Sequence, residues 1–171
     1  MNKQSESLRI LMDLLKQQEG HKLPLTKAKE KLQSLIPEEN AKVIAEQAIE
    51  EALDELMIEK VLDYDETDKD STGHLVWFLR IPNKERREQL ENLSEEDRTF
   101  LRILYNSESH DRPGAIPADV ASEKLQEVGV GSDYVPFIPG LTYDFFKNGD
   151  GESVMYHYLL AENEKDREFM T

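Results

Sequence analysis

The side chains able to perform chemistry are scattered along this chain and form no recognisable catalytic pattern. The four histidines, with no metal-ligand spacing between them, are His21, His74, His110 and His157. Cysteine is absent, which excludes disulfides, thiolate metal sites and cysteine nucleophiles. The sequence contains no HExxH, GxSxG, P-loop or GxGxxG motif. We therefore expect a protein that is not an enzyme and uses no cofactor.

One short segment resembles the front of an EF-hand calcium loop. Counted from Asp68, side-chain oxygens alternate, a glycine stands at the sixth position and a leucine at the eighth. The twelfth position is Leu79, where calcium needs a bidentate glutamate. The sequence therefore predicts an acidic hairpin turn and no metal site. Asp68 and Asp70 would be the ligands under the alternative interpretation.

Acidic residues outnumber basic ones along the whole chain. There are 36 Asp and Glu against 21 Lys and Arg in 171 residues, a net charge of −15. Such a field repels DNA unless basic side chains cluster locally. Carboxylates gather on the predicted third helix and hairpin tip, and we take these as partner-binding candidates: Glu46, Glu50, Asp54, Glu55, Asp65 and Asp68. The alternative is that both surfaces are merely solvated.

Basic residues cluster locally only near the middle of the chain. The cluster comprises Arg80, Lys84, Arg86, Arg87, Arg98 and Arg102. One interpretation is a small patch that contacts an anionic partner such as the nucleic-acid backbone. The other interpretation is pairing with the neighbouring glutamates, namely Glu85, Glu88, Glu91 and Glu95.

A third candidate surface is aromatic. Large apolar residues crowd an irregular, proline-containing segment, and Tyr134, Phe137 and Phe145 are the candidates for an exposed patch. Such a loop either fills the core beneath it or presents an apolar surface to a partner.

The elements that would position these residues indicate an α+β protein. Apolar residues at helical spacing predict helices over residues 5–18, between Thr26 and Pro37, and over 38–57. Thr26 is the expected N-cap of the second of these helices. Runs over residues 58–64 and 74–81 are typical of two strands of a hairpin.

The second half is predicted to be a smaller helix–helix–hairpin unit. A charged, helical connector over residues 83–93 leads to a helix begun by Ser94 and Asp97, which have capping-box spacing. A helix near Pro117, an irregular segment over 129–141, and strands over 141–146 and 153–161 follow. The predicted domains are 1–82 and 94–171. We expect no internal sequence identity between them, so a duplication is a hypothesis only.

Three helices followed by a hairpin, joined by the segment LMIEKVLDY, resemble a winged-helix domain over residues 5–82. The second unit resembles a degenerate winged helix that lacks its third helix. In outline the chain is similar to acidic tandem winged-helix subunits of bacterial chromosome-organising complexes. That resemblance implies a coiled-coil ATPase complex as the partner.

These observations favour a cytoplasmic, non-enzymatic interaction or regulatory protein that binds a protein partner and does not enter membranes. A dimer is compatible with the sequence. Two alternatives remain open. One is a transcriptional regulator that contacts DNA through the central arginines, and the other is an acidic inhibitor, immunity protein or nucleic-acid mimic.

Overall fold

The computed structural model describes residues 3–64, 75–107, 114–147 and 149–160. Over these ranges the protein is α+β, with six α-helices and two antiparallel three-stranded sheets, which confirms the predicted fold class. The helices are α1 (Lys3–Lys16), α2 (Leu25–Leu35), α3 (Ala41–Asp54), α4 (Lys84–Glu91), α5 (Glu95–Tyr105) and α6 (Ala118–Glu127). The strands are β1 (Lys22–Pro24), β2 (Glu59–Tyr64), β3 (Leu75–Arg80), β4 (Ala115–Pro117), β5 (Leu141–Lys147) and β6 (Ser153–Leu159).

The chain divides into two compact units. The first comprises Met1–Lys60 and Trp77–Glu91, and the second comprises Val61–Val76 and Asn92–Thr171. One sheet has the strand order β1-β3-β2, and the other has the order β4-β6-β5. The last strand of each sheet in sequence therefore lies in its centre.

The core of the first unit is built around α3, the helix with the widest apolar face. Its buried residues are Ala41, Ile44, Ala45, Ala48, Ile49, Ala52 and Leu53. The helix ends at Asp54 with Glu55 as its C-cap residue, and the next residue, Leu56, adopts a left-handed φ of 61°. The Met57 N–H donates to the Ala52 carbonyl at 2.9 Å, as in a Schellman motif, although a leucine replaces the usual glycine.

Two short strands, β1 and β4, are absent from the sequence prediction. Each is three residues long and pairs antiparallel with the central strand of its sheet, Leu23 with Leu79 and Ile116 with His157. The expectation that Thr26 caps the second helix is wrong, because α2 begins at Leu25 with Pro24 as its N-cap residue. Strands this short carry no periodicity, and their pairing depends on residues far along the chain.

The structure reveals an internal repeat that we did not expect from the sequence. Shifting the chain by 93 positions aligns residues 8–33 with residues 101–126 without a gap. Ten of the 26 aligned positions are identical: the four of LRIL, one proline, one alanine, and the four of EKLQ. We call the elements α1 to β3 the first repeat and the elements α5 to β6 the second repeat.

The residues that are identical between the two repeats also occupy equivalent places in the structure. Pro24 and Pro117 have nearly the same backbone angles, φ −53° and ψ 139° against φ −59° and ψ 138°. Each proline ends a short strand and directly precedes a helix. The EKLQ segments keep exposed residues as well as a buried leucine, and packing does not require identity at exposed positions. The expectation that the halves share no identity is therefore wrong, and the repeat favours a duplication.

The two repeats diverge where the second helix ends. Ile36, in the first repeat, is extended and leads toward α3. The aligned residue of the second repeat is Gly129, whose φ of 87° is left-handed and turns the chain into an irregular segment. We call residues 129–140 the proline loop, which takes the place in the sequence where the first repeat has its third helix.

Candidate partner-binding surface

The structure brings the predicted acids of α3 together on its outer face. Glu46, Glu50, Asp54 and Glu55 are exposed. They line a shallow, open depression together with Val43, Gln47 and Glu51. We call this surface the acidic face. Asp65, Asp68 and Asp70 lie outside the described residues, so the predicted hairpin acids and the calcium-loop alternative stay predictions.

Two of the predicted basic residues serve the fold of the first unit. Arg80 donates to a Glu59 carboxylate oxygen at 3.1 Å, and the Arg86 Nε donates to the same carboxylate at 3.2 Å. The Glu59 side chain has no exposed surface, and the two arginine side chains are 12% and 9% exposed. Because a buried carboxylate is costly unless it is paired, this triad ties β2, β3 and α4 together.

The other members of the basic cluster lie nearer to solvent. Arg87 pairs with Glu91 at 3.0 Å on α4, and Arg102 approaches Glu95 to 3.8 Å on α5. These two pairs match the expected pairing with neighbouring glutamates, whereas the pairing of Arg80 and Arg86 with Glu59 was not expected. Lys84 is exposed and Arg98 is half-buried. Contact of this cluster with an anion stays a prediction.

Among the described residues of the second unit, five large apolar side chains are more than half exposed, and four of them lie on the proline loop and β5. Val135 and Phe137, on the proline loop, are 78% and 85% exposed. Tyr143 and Phe145, on β5, are 64% and 61% exposed. We call these four residues the aromatic surface. It contains two of the predicted patch residues, Phe137 and Phe145, while the third, Tyr134, is half-buried.

A buried carboxylate holds the proline loop in place. Asp97 is 6% exposed, and its Oδ1 accepts a hydrogen bond from the Tyr134 hydroxyl at 2.5 Å. The same oxygen accepts the Phe137 N–H at 3.2 Å. Burial and the hydrogen bond to Asp97 raise the pKa of Tyr134 well above its ordinary value, so the hydroxyl remains a donor at neutral pH.

The capping-box spacing therefore identifies only half of the role of Asp97. Ser94 Oγ accepts the Asp97 N–H at 3.1 Å, which confirms the predicted serine cap of α5. A capping box would return the Asp97 carboxylate to the start of the helix. Here the Oδ1 atom instead accepts from the proline loop, 37 and 40 residues further along the chain.

A row of aromatic rings connects the proline loop with β5. The ring centroids of Tyr134 and Phe100 are 6.3 Å apart, and those of Phe100 and His157 are 5.3 Å apart. His157 in turn lies 6.3 Å from Tyr143, its cross-strand partner. The spacings fit edge-to-face or tilted aromatic pairs. Tyr143, a residue of the aromatic surface, is therefore supported from within by the half-buried His157 and the buried Phe100.

His157 is the unusual member of this row. It pairs with Ile116 in the same register in which Leu79 pairs with Leu23, so it occupies the position of a fully buried leucine of the first repeat. Its Nδ1 atom is buried and has no hydrogen-bond partner. Burial lowers the pKa of His157, which favours the neutral imidazole.

The strand that carries half of the aromatic surface lies at the edge of its sheet. Within the described part of the chain, β5 has a strand neighbour on the β6 side only. The Phe145 N–H donates to the exposed Asp144 Oδ1 at 2.7 Å, so this amide points away from the ladder. The Asp144 side chain thus provides a hydrogen-bond acceptor for one of the backbone donors at the open edge of β5.

Neither a metal centre nor a membrane span is found among the described residues. No group of three or more His, Asp or Glu side chains in these ranges is arranged to hold a metal ion. None of the described helices combines the length and apolar character needed to cross a bilayer. Comparisons with protein-family models, with curated proteins and with solved structures each found no match.

The sequence missed three residues that organise these surfaces. Glu59 follows the third helix and belongs to no motif, and the spacing of Asp97 from Ser94 indicates only a helix cap. His157 has no second metal ligand near it in sequence, so the sequence gives it no role. The repeat supplies the only sequence signal for His157, since aligning the two central strands contrasts it with Leu79.

Proposed function

We propose that this protein is a non-enzymatic interaction protein whose second repeat binds a basic protein partner through the aromatic surface. The observation that carries the proposal is the strong exposure of Val135, Phe137, Tyr143 and Phe145 on a loop and strand that are internally fixed. Single exposed apolar residues are common on proteins, whereas a cluster of them is typical of an interaction site. Aromatic residues on a rigid support are typical of interface hot spots.

Rigidity is an important part of this proposal. The Asp97 hydrogen bonds fix the loop at Tyr134 and Phe137, and Ile138 is 6% exposed and anchors the next residue. A loop that is ordered before binding loses less conformational entropy when a partner docks. The exposed side chains are therefore presented in a fixed arrangement, which supports binding rather than incidental exposure.

Charge supports a basic partner. The segment that carries the aromatic surface includes Asp133, Asp144, Asp150 and Glu152, with Lys147 as its single lysine between residues 129 and 160. The net charge of −15 acts in the same sense. Complementary charge accelerates association and disfavours acidic competitors, so lysine or arginine is expected around the partner's apolar contact.

The scaffold that we propose for this function is winged-helix-like in both repeats. Support comes from the element order helix, strand, helix, helix and hairpin in the first repeat, and from the same order without the third helix in the second. A DNA contact is the less favoured role, because Arg80 and Arg86 are engaged by Glu59. A coiled-coil ATPase complex is the first partner class to test.

Site-specific photo-crosslinking tests the proposed surface. A photoreactive phenylalanine analogue is placed at position 137 or 145 in the full chain and irradiated in cells. Matched controls carry it at Leu35 and Val128, which are aligned in the repeats and 53% and 60% exposed. We expect a crosslinked protein at 137 and 145 that is absent at 35 and 128. Crosslinks at the control positions alone, or none at 137 and 145, would contradict the proposal.

Purified components then establish whether the crosslinked protein is a true partner. Its affinity is measured by calorimetry against the wild-type chain and a chain with Phe137→Ser and Phe145→Ser. Loss of two hot-spot aromatics should weaken binding by about tenfold or more. The Leu35→Ser and Val128→Ser chain should bind like the wild type. Equal affinities of all three chains would show that the aromatic surface is not the interface.

A further inference from the structure

We infer that β5 binds an extended segment of the partner by strand addition, with apolar partner residues on Tyr143 and Phe145 and a basic residue at Asp144. The inference rests on the proposed function and specifies its binding mode. Edge strands offer backbone donors and acceptors as well as side chains, so they can recognise a peptide through both.

The backbone geometry of β5 is suited to such an addition. The strand is seven residues long and pairs with β6 from Leu141–Leu159 to Lys147–Ser153. The Phe145 N–H donates to the Asp144 carboxylate at 2.7 Å, which indicates that it faces the open edge. Because amides alternate in direction along an antiparallel strand, the Tyr143 amide points to the same open edge as that of Phe145.

Side chains on the two faces of β5 define which peptide would fit. Tyr143 and Phe145 project from one face and are exposed, while Asp144 projects from the other face and is also exposed. An added strand would place its side chains on these faces in alternation. The matching sequence alternates apolar residues with lysine or arginine, so the apolar residues contact the rings and a basic residue lies near Asp144.

Asp144 has two roles in this mode of binding. In the free protein its carboxylate accepts a hydrogen bond from the Phe145 N–H at 2.7 Å. An incoming strand supplies a carbonyl oxygen to that N–H and releases the carboxylate, which then pairs with the basic side chain of the peptide. A peptide with acidic residues in place of lysine would release the same carboxylate without a cation to receive it.

A second copy of this chain is a poorer occupant of the edge. Antiparallel pairing of two β5 strands about their centre would set Asp144 against Asp144, and like charges in direct opposition destabilise a sheet. The net charge of −15 on each copy adds repulsion. A basic, extended partner segment meets neither obstacle, so the edge is assigned to it.

The test is an NMR titration of the full, isotope-labelled chain with the peptide acetyl-Lys-Val-Lys-Val-Lys-Val-Lys-amide. We expect shift changes centred on residues 141–147 and at least about tenfold slower hydrogen exchange of the Phe145 amide. A peptide methylated on every central backbone nitrogen keeps the side chains but has no central N–H to donate, and its methyl groups obstruct close approach of the two strands. It should bind at least about tenfold more weakly, as should a peptide with glutamate in place of lysine.

Two charge-reversed chains serve as a matched pair. Asp144→Lys should weaken the peptide by about tenfold or more, whereas Glu123→Lys, on the exposed side of α6, makes the same change in net charge and should leave affinity within about twofold. Equal binding of the methylated peptide, or no change at residues 141–147 at millimolar peptide, overturns strand addition. Concentration-dependent shifts of β5 without peptide also overturn it, in favour of a second copy.

These outcomes separate the inference from the proposed function. If the crosslinks at positions 137 and 145 persist while the methylated peptide binds as well as the plain one, the surface binds a partner by side chains alone. If the crosslinks at both positions are absent, the proposed function fails whatever the peptide does.

Discussion

The two repeats begin alike and diverge after their second helix, and that divergence determines which surface is left open. Both have a helix, a short strand ending in proline and a second helix with the EKLQ segment. The first repeat continues into α3, whose apolar face is buried. The second continues into the proline loop, where Val135 and Phe137 stand in solvent. Replacing a core helix by a loop can thus turn a packing region into a contact surface.

The comparison also shows two ways of using a buried carboxylate. In the first unit, Glu59 receives two arginines and joins strands to a helix. In the second unit, Asp97 accepts hydrogen bonds from the Tyr134 hydroxyl and the Phe137 N–H of the proline loop. The first arrangement stabilises a core, and the second fixes a surface loop. Substitutions at these positions should accordingly differ in size and in what they disturb.

Glu59→Ala should have the largest effect on stability. It leaves Arg80 and Arg86 without their carboxylate in a buried site, and breaking a buried pair costs about 3–5 kcal/mol. Chemical unfolding of the full chain measures the loss. Glu91→Ala is the matched control, because it removes the exposed pair with Arg87 and should cost less than about 1 kcal/mol. Equal losses in the two variants would contradict the buried triad.

Asp97→Ala should come next, with a loss of about 1.5–3 kcal/mol, since two donors lose a charged acceptor. Hydrogen exchange of the Phe137 amide should accelerate at the same time. The neighbouring Glu96→Ala removes an exposed carboxylate from the same helix and should change stability by less than about 0.5 kcal/mol. Unchanged Phe137 exchange in Asp97→Ala would show that the proline loop is held by other contacts.

Gly129→Ala tests the point at which the repeats diverge. The added Cβ would meet no atom within 4 Å, so its effect is confined to the backbone. A left-handed φ of 87° in alanine costs about 1–2 kcal/mol. Unfolding midpoints give the value, and Ser122→Ala, at an exposed position of α6, should be neutral or stabilising. A neutral Gly129→Ala would mean that the turn relaxes freely.

His157 should add the smallest effect, seen as a pH dependence. Its folded pKa is lowered by burial, so below about pH 6.5 the unfolded chain binds the proton more readily. The stabilisation is therefore present above this pH and lost as the pH falls. His157→Leu restores the leucine of the first repeat and should reduce the difference in stability between pH 7.5 and pH 5.5. An unchanged difference would contradict the burial of a neutral imidazole.

The fold could be predicted from the sequence wherever apolar periodicity was long enough. The α+β class, the apolar face of α3 and the strands of both hairpins follow from such runs, whereas the connector helix α4 was predicted from a charged segment with little apolar periodicity. The strands β1 and β4 could not be predicted, because three residues have no period and their partners lie far away in sequence. The ten identities of the repeat are present in the sequence. The equivalence of Pro24 and Pro117 became clear only from the structure, in which each proline ends a paired strand.

The sequence predicted which residues would form the candidate surfaces, but it did not predict which of their side chains would be exposed and which buried. The spacing of Glu46, Glu50 and Asp54 placed them on one helix face. Nothing local separates Tyr134, which turns inward to Asp97, from Phe137, which is exposed. The difference arises from one carboxylate 37 residues earlier in the chain. The same limit applies to Arg80 and Arg86, whose partner, Glu59, lies more than 20 residues away.

The most direct test of the account compares the two surfaces against one partner. Binding of the protein crosslinked at positions 137 and 145 is measured for three chains: wild type, Phe137→Ser with Phe145→Ser, and Glu46→Lys with Glu50→Lys. We predict that the serine chain loses about tenfold or more in affinity, and that the lysine chain loses less and mainly through slower association. A partner that tolerates both serines but is lost with the two lysines would contradict the account, since the acidic face of α3 would then be the interface.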